Sequence, residues 1–295
     1  MEPVPGWVRV TGLVVAVATG LVVVPLVLLT ATSLASTIAQ VQRTTTLEVG
    51  PGPRLHVDAR FASVAIEAGR DGRITVQDRR SAGAVTRAAA AAALDQMAVD
   101  VSRQDDLVVV RQTGLLFTVP AIDRNSIITI TVPARTDVDV SNDGDVRIQG
   151  IDGTVRFSGS GSVEVRDATL RGASTLDSPF GEVQLANVTV AGATTVTKRL
   201  GDVTFDGQLA PGGSGLDIDD SAGNVSIVLP QPTDARATIT AQAGNFHADG
   251  TWLFTPDQVA APGRWTANLA PSPAGTVTVR AVLGRVDFAS RQTGP

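Results

Sequence analysis

The stretch SNDGDVRIQGIDGTVRFSGSGSVEVRDATL, from Ser141 to Leu170, decides the fold of this chain. A glycine, a polar residue and a valine recur in it at Gly144, Gly153 and Gly161, and each triplet is followed by a polar and an apolar residue. Successive side chains of a strand face opposite ways, so the two apolar residues of each unit share one face. Glycine reaches positive φ without steric cost and therefore suits the corner before each strand.

The glycine triplet returns along the rest of the chain about every 20 residues, which is typical of a repeat architecture. Each unit of such an array buries its apolar face only by stacking on its neighbours. We therefore predict an all-β protein, a right-handed parallel β-solenoid (β-helix) with about 20-residue coils. The predicted structural corner glycines are Gly144, Gly161, Gly181, Gly201, Gly223, Gly244 and Gly284. The predicted inward-facing pairs are Val146 and Ile148, Val163 and Val165, Val183 and Leu185, Val203 and Phe205, and Val225 and Ile227.

Two segments interrupt the strand pattern. Residues 82–97 are rich in alanine, which has the highest helix propensity, and predict one helical insert. Residues 247–274 are predicted to form a C-terminal cap, because the last unit of a repeat array needs a cover. Trp252, Phe254 and Trp265 lie in this region, and an alternative role for them is a ligand platform that stacks against a sugar or a peptide.

The N-terminal part of the chain has a different composition. Residues 10–39 carry no charge, and about 20 apolar residues are enough for a helix to cross a bilayer core. The predicted domains are a short cytoplasmic tail at 1–9, a transmembrane helix at 10–34, a linker at 35–44 and an extracytoplasmic β-solenoid domain at 45–295. The single uncharged run predicts a single-pass cell-membrane protein. Its N-terminus is expected in the cytoplasm and its C-terminal domain outside, because Arg9 lies closer to the apolar run than Arg43 does. Cleavage after Ala39 is the alternative.

Small residues recur four positions apart within the predicted transmembrane helix, at Gly12, Ala16 and Gly20. This spacing places them on one helix face, where two helices could approach closely. It suggests a homodimer through the transmembrane helix, although small residues are common in such helices for other reasons.

Composition argues against several classes of function. The formal net charge of −5 does not favour a nucleic-acid partner, since such proteins usually carry a basic face. The chain has no cysteine, which excludes disulfides and thiolate metal sites. His56 and His247 have no further ligands at metal-binding spacing, and no phosphate loop or dinucleotide fingerprint is found. We therefore predict no enzyme activity, no cofactor and no metal.

Two acidic stretches carry alternative interpretations. Asp139, Ser141 and Asp143 have the spacing of the first ligands of a calcium loop, but the position of its bidentate glutamate falls on Gly150. Asp217, Asp219 and Asp220 could serve acid–base chemistry on a polysaccharide, but no basic residue lies next to them in the sequence. An acidic, solvated corner is the simpler interpretation of both.

One outward column of the repeat shows no recurring residue type, which indicates a solvated wall rather than a dedicated binding stripe. Its members are Arg147, Glu164, Gln184, Thr204, Ser226, His247 and Asp287.

The segment ITITVP at 128–133 is followed by the serial units SNDGDVRIQG, SGSGSVEV, SPFGEVQL, KRLGDVTF and SAGNVSIVLP. Over residues 45–290 this pattern resembles the putative adhesin family of bacterial membrane-anchored β-solenoid domains. The resemblance implies a fold without an assigned activity, and it implies no catalytic residue.

The pattern and the resemblance together lead us to expect a non-enzymatic, membrane-anchored cell-envelope protein. Its β-solenoid would offer an adhesin-like surface for contacts with envelope proteins or surface glycans. Two alternatives stay open at this stage: an accessory of envelope-stress signalling, and a β-helix that binds or cleaves a polysaccharide.

Overall fold

A computed structural model describes residues 37–112, 123–242, 245–250, 252–258 and 263–291. These residues form 25 strands and one helix. They divide into two compact units. The smaller unit holds the described parts of 37–41, 80–96 and 123–125, and the larger holds 42–79, 97–112 and the described residues from 126 to 291.

The smaller unit contains the helix α1, Arg87–Asp95. Thr86 caps its N-terminus, with its hydroxyl oxygen accepting a hydrogen bond of 3.2 Å from the Ala89 amide. Arg80 is buried and donates to the carbonyl of Leu94 near the end of the helix, at 3.1 Å. The helix is shorter than the predicted insert 82–97. It begins only at Arg87, because the preceding strand continues to Ala84.

Two large sheets make up most of the larger unit. The 13-stranded sheet has the order β1 (Thr37–Glu48), β4 (Arg73–Ala84), β7 (Asp123–Pro133), β3 (Ser63–Gly69), β9 (Val146–Gln149), β12 (Val163–Arg166), β15 (Val183–Val190), β17 (Val203–Leu209), β19 (Val225–Pro230), β25 (Val286–Arg291) and β21 (Phe246–Ala248). Two short strands, β10 (Asp152–Gly153) and β13 (Thr169–Leu170), lie off this path. Three strands of this sheet, β1, β4 and β7, also include residues that belong to the smaller unit.

The 12-stranded sheet has the order β22 (Thr255–Gln258), β23 (Gly263–Asn268), β20 (Ala235–Ala241), β24 (Gly275–Leu283), β18 (Gly215–Ala222), β16 (Ala193–Lys198), β14 (Ala173–Ser178), β11 (Val155–Ser158), β8 (Asp137–Asn142), β2 (Arg54–Ala59), β6 (Leu107–Gln112) and β5 (Val99–Gln104). Apolar side chains from both sheets form one buried core. Burial of this apolar surface is the main favourable contribution to folding.

The repeat positions stack in register along the 13-stranded sheet. Val146 pairs with Val163, and the same row continues through Val183, Val203, Val225 and Val286. The second apolar position of each unit forms a parallel row from Ile148 to Phe288. All these side chains are buried, so the inward orientation predicted from the period of two is confirmed.

The predicted right-handed parallel β-solenoid is wrong. The chain forms two large mixed sheets, in which antiparallel pairs accompany the parallel ones: β5 with β6, β20 with β23, and β22 with β23. The strands also do not stack in chain order, because β24 lies between β18 and β20, and β3 lies between β7 and β9. The spacing of the glycines shows the length of each repeat unit. It carries no information on hairpins, or on where a strand from later in the chain inserts between two strands that precede it in the sequence.

The predicted single-pass membrane localisation is also corrected. Among the described residues no helix is long and apolar enough to cross a membrane. The helix α1 has 9 residues and spans about 14 Å, whereas a bilayer core is about 30 Å thick. The tail 1–9 and the segment 10–34, with Gly12, Ala16 and Gly20, lie outside the described residues. From residue 37 onward, the expected linker is strand β1.

Candidate functional site

A groove of about 370 Å³ lies on the outward face of the 13-stranded sheet. It crosses five neighbouring strands, β7, β3, β9, β12 and β15. Its volume falls in the range of small-ligand sites in proteins, about 300–1,000 Å³. The groove is therefore the first candidate for a contact site.

The shape of the groove follows from the side chains that alternate along these strands. Ala65 on β3 faces outward beside Arg147 on β9, and its short side chain leaves a depression between longer neighbours. Ile127, at the β7 end, is 37% exposed and adds an apolar wall. The buried row of Val64, Val146 and Val163 lies beneath, so the floor is part of the rigid core.

An ion-pair cluster forms one rim of the groove. The guanidinium of Arg147 donates to Glu164 with an Nε–Oε2 distance of 2.6 Å, and Arg166 donates to the other carboxylate oxygen. Burial raises the pKa of Glu164, but the hydrogen bonds and charges of Arg147 and Arg166 outweigh this and lower it below its usual value. Glu164 is therefore ionised and held in place at neutral pH.

The other rim carries carboxylates at the starts of the strands. The Ser162 amide donates to Oδ1 of Asp145 at 3.3 Å, and the Glu182 amide donates to the Ser162 hydroxyl at 3.2 Å. Within the described part of the chain, neither Asp145 nor Glu182 forms a salt bridge. Three carboxylates and one guanidinium therefore line the groove, and its net charge is negative.

Sequence reasoning identified Arg147, Glu164 and Gln184 as members of an outward column but interpreted them only as a solvated wall. It missed the groove because Ala65 and Ile127 come from strands outside the glycine repeat. No feature of a repeat period indicates that β3 and β7 lie beside β9. The alternation of SVAIEA at 63–68 predicts an outward Ala65 but not its neighbours.

The outward face of the 12-stranded sheet has a different character. A row of threonines crosses neighbouring strands, interrupted by Asp217. Its members are Thr175, Thr195, Thr278, Thr238 and Thr266. The outward column predicted from the glycine repeat lies on the opposite sheet, so the repeat gave no indication of this row of threonines.

The predicted corner glycines lie where adjacent strands' turns approach closely. A Cβ on Gly161 would lie 2.1 Å from the carbonyl oxygen of Gly144, which is far inside van der Waals contact. Gly201 has a φ of 117°, a conformation that other residues rarely adopt. Similar close approaches are found at Gly181, Gly223 and Gly284, whereas Gly244 lies outside the described residues.

Polar side chains near these corners point into the interior, and sequence reasoning did not find them. Lys198 is 1% exposed and its ammonium donates to the carbonyl of Gly181. Asp220 pairs with Lys198 in the strand register and is fully buried, and neither carboxylate oxygen accepts a well-formed hydrogen bond from a described residue. Burial raises the pKa of Asp220 to about 6. The nearby Ala222 amide and the charge of Lys198 both lower this pKa, but burial has the larger effect. Burial likewise lowers the pKa of Lys198.

The C-terminal aromatic residues pack against one another. The Trp252 ring is 5.3 Å from that of Phe288, centroid to centroid, and Trp252 is only 7% exposed. Phe246 lies 4.9 Å from Phe254 and 5.1 Å from Trp265. These edge-on and tilted contacts are typical of a packed aromatic cluster. They leave little of Trp252 for a ligand, so the ligand platform formed by Trp252, Phe254 and Trp265 stays a prediction.

The residues of the two acidic stretches lie in different surroundings. Asp217 and Asp219 lie on the outward face of β18, where Arg280 contacts Asp219 at 3.3 Å, whereas Asp220 points into the core. Asp139 pairs with the imidazole of His56 at 3.2 Å, and Asp143 accepts a hydrogen bond from Ser160. Within the described residues no group of three or more potential metal ligands is found.

No family model matches the chain, and no curated protein sequence is similar to it. Several solved structures do resemble it. A putative cell adhesion protein from Clostridium sporogenes is 13% identical, with 86% of this chain and 100% of that chain covered and a TM-score of 0.36. A putative adhesin from Bacteroides fragilis is 12% identical, with 84% and 97% covered and a TM-score of 0.42.

A third similar structure is a putative adhesin from Parabacteroides distasonis, 10% identical, with 85% and 97% covered and a TM-score of 0.27. TM-scores below 0.5 do not establish a shared fold.

Proposed function

We propose that this chain is a non-enzymatic adhesion-type protein that contacts another molecule through the groove on the outward face of its 13-stranded sheet. The observation that carries the proposal is the groove itself: a depression of about 370 Å³ over a rigid apolar floor, with charged side chains on its rims. Concave sites with a partly apolar lining and a few fixed polar groups are the usual ligand-binding sites of proteins.

The rigidity of the groove supports a contact role. Its floor belongs to strands that are paired on both sides, and the valines beneath it are fully buried. Glu164 is held by two arginines, so part of the rim is ordered before any ligand arrives. A preorganised surface loses less conformational entropy on binding than a mobile one does.

The experiment compares two arginine substitutions in the same outward row. Ala65→Arg places a long side chain in the groove, whereas Ser226→Arg places one on β19, outside it. Labelled full chain is tested against arrays of immobilised glycans and peptides and against bacterial cells. We expect Ala65→Arg to abolish binding and Ser226→Arg to leave it unchanged, at equal melting temperatures.

Two results would contradict the proposal. One is equal binding by the Ala65→Arg variant and the unmodified chain to every ligand that the unmodified chain binds. The other is turnover of any arrayed glycan or peptide, which would show that the chain is an enzyme.

A further inference from the structure

We propose that the groove takes a short, extended peptide segment that carries basic side chains. This inference rests on the proposed function and names the class of molecule that the groove contacts. Charge, length and the distribution of apolar surface each support it.

The charge of the groove favours a cationic occupant. Arg147 is already engaged by Glu164, which leaves the carboxylates of Asp145 and Glu182 without a salt bridge to any described residue. Both face the same groove. Lysine or arginine side chains would form charge-assisted hydrogen bonds with them, and these are about twice as strong as neutral ones.

The length of the groove fits a peptide. Five neighbouring strands spaced about 4.8 Å apart give a groove of roughly 19 Å. An extended peptide advances about 3.3 Å per residue, so the groove holds about six residues. Alternate side chains of such a peptide point toward the sheet, and three of the six would reach the groove.

The two ends of the groove differ in chemistry. Ile127 and Ala65 form an apolar end at β7 and β3, whereas Glu182 and Gln184 form a polar end at β15. A peptide with an apolar side chain at one end and basic side chains toward the other complements both. A neutral glycan would use the hydrogen-bonding groups but would leave the net negative charge uncompensated.

The test uses fluorescein-labelled hexapeptides and the full chain, with binding followed by fluorescence anisotropy. One set carries a leucine at either end and lysine or arginine at alternate positions, and a matched set carries glutamate instead. A panel of neutral oligosaccharides is the third arm. We expect the basic set to bind more tightly than the acidic set, and we expect its affinity to fall as salt is raised.

Glu182→Gln should weaken binding of the basic peptides about tenfold, because a charge-assisted hydrogen bond is lost. Glu67→Gln is the matched control, since Glu67 is an exposed residue of β3 that does not line the groove. The Glu182→Gln substitution breaks no salt bridge among the described residues, but it removes a carboxylate whose charge acts on the buried Lys198 ammonium. The melting temperature of each variant is therefore measured, and the affinities are compared at a temperature at which both are folded.

The outcomes separate the occupant from the function. The basic-peptide inference is overturned if basic and acidic peptides bind equally, or if only neutral oligosaccharides bind. The contact role of the groove is kept in either case if Ala65→Arg still abolishes the binding that is observed. Binding that survives Ala65→Arg would overturn both. Absence of binding to every peptide of the basic set would also overturn the inference.

Discussion

The buried carboxylate of Asp220 predicts that part of the stability of this protein increases as the pH falls. Asp220 is fully buried beside Lys198 in the strand register, and its oxygens accept no well-formed hydrogen bond from a described residue, although the Ala222 amide lies close enough to act on the carboxylate. The charged form is therefore disfavoured in the folded state. The perturbation that isolates the effect is Asp220→Asn, which has nearly the same shape and cannot ionise.

The magnitude follows from the pKa of Asp220, which rises from 3.8 to about 6 on folding. A difference of about 2 pH units corresponds to up to about 3 kcal/mol, at about 1.4 kcal/mol per unit. Because the folded-state pKa is raised, the folded chain binds the proton more tightly than the unfolded chain does. The contribution is fully present below pH 3.8 and is lost as the pH rises through 6.

The charged groups that act on Asp220 are Lys198 on β16, Asp202 and Asp219. Burial lowers the pKa of Lys198, while the charge of Asp220 acts in the opposite direction. Glu164 acts in the opposite sense, because its lowered pKa contributes stability that is lost in acid. The measurement must therefore be a difference between variants.

The assay is urea unfolding of the unmodified chain and of Asp220→Asn at half-unit steps from pH 4.5 to pH 7.5, chosen to bracket about 6. We expect the difference in unfolding free energy between the two to change by about 2 kcal/mol across this range, with the unmodified chain relatively more stable at the acid end. A difference between Asp220→Asn and the unmodified chain that does not vary with pH would refute the reasoning.

Three further predictions concern stability and are checked by urea unfolding. Gly161→Ala should lower the free energy of unfolding by about 3 kcal/mol or more, because the added Cβ would overlap a carbonyl oxygen. Gly50→Ala is the control and should cost less than about 1 kcal/mol, since a Cβ there meets an ordinary contact of 3.5 Å. Equal losses in the two variants would contradict the corner role of Gly161. Phe288→Ala should lower the free energy of unfolding by about 3–5 kcal/mol, because its ring is buried in the aromatic cluster. Phe180→Ala, which removes an exposed ring, should cost about 0.5 kcal/mol or less. A small loss in Phe288→Ala would show that the aromatic cluster is not packed. Thr86→Ala should cost about 1 kcal/mol through loss of the helix cap, and an unchanged stability would argue against that cap.

The local structure of this chain could be predicted from its sequence, because apolar and polar residues alternate along each strand with a period of two. Val163 and Val165 alternate with polar residues, and burying both on one face leaves a single choice of orientation. The glycine corners carry a similar local signal, since a Cβ at Gly161 has no room.

The order of the strands could not be predicted in this way. β24 enters the 12-stranded sheet between β18 and β20, although β20 precedes it in the chain. Pairings of this kind depend on contacts between distant residues, such as Asp217 with Thr278, and no local pattern encodes them. The hairpin from β5 to β6 likewise turns at Asp105, with a φ of 55°, outside the glycine repeat.

The groove shows the same division between local and long-range information. The outward position of Arg147 follows from alternation along β9, and it was predicted. The short side chain of Ala65 and the apolar wall of Ile127 come to its side only through the pairing of β3 with β9 and β7. The buried Asp220 was read as part of a solvated corner, because the sequence does not show that the third of three acidic positions turns inward.

The most direct test of the account is carboxylate footprinting of the full chain, in the presence and absence of a bound basic hexapeptide. Carbodiimide-driven amidation followed by peptide mass spectrometry reports the exposure of each carboxylate. The account predicts that the peptide protects Asp145 and Glu182 in the groove and leaves Glu67 and Asp219 labelled as before. Unchanged labelling of Asp145 and Glu182 while the peptide is bound would contradict it.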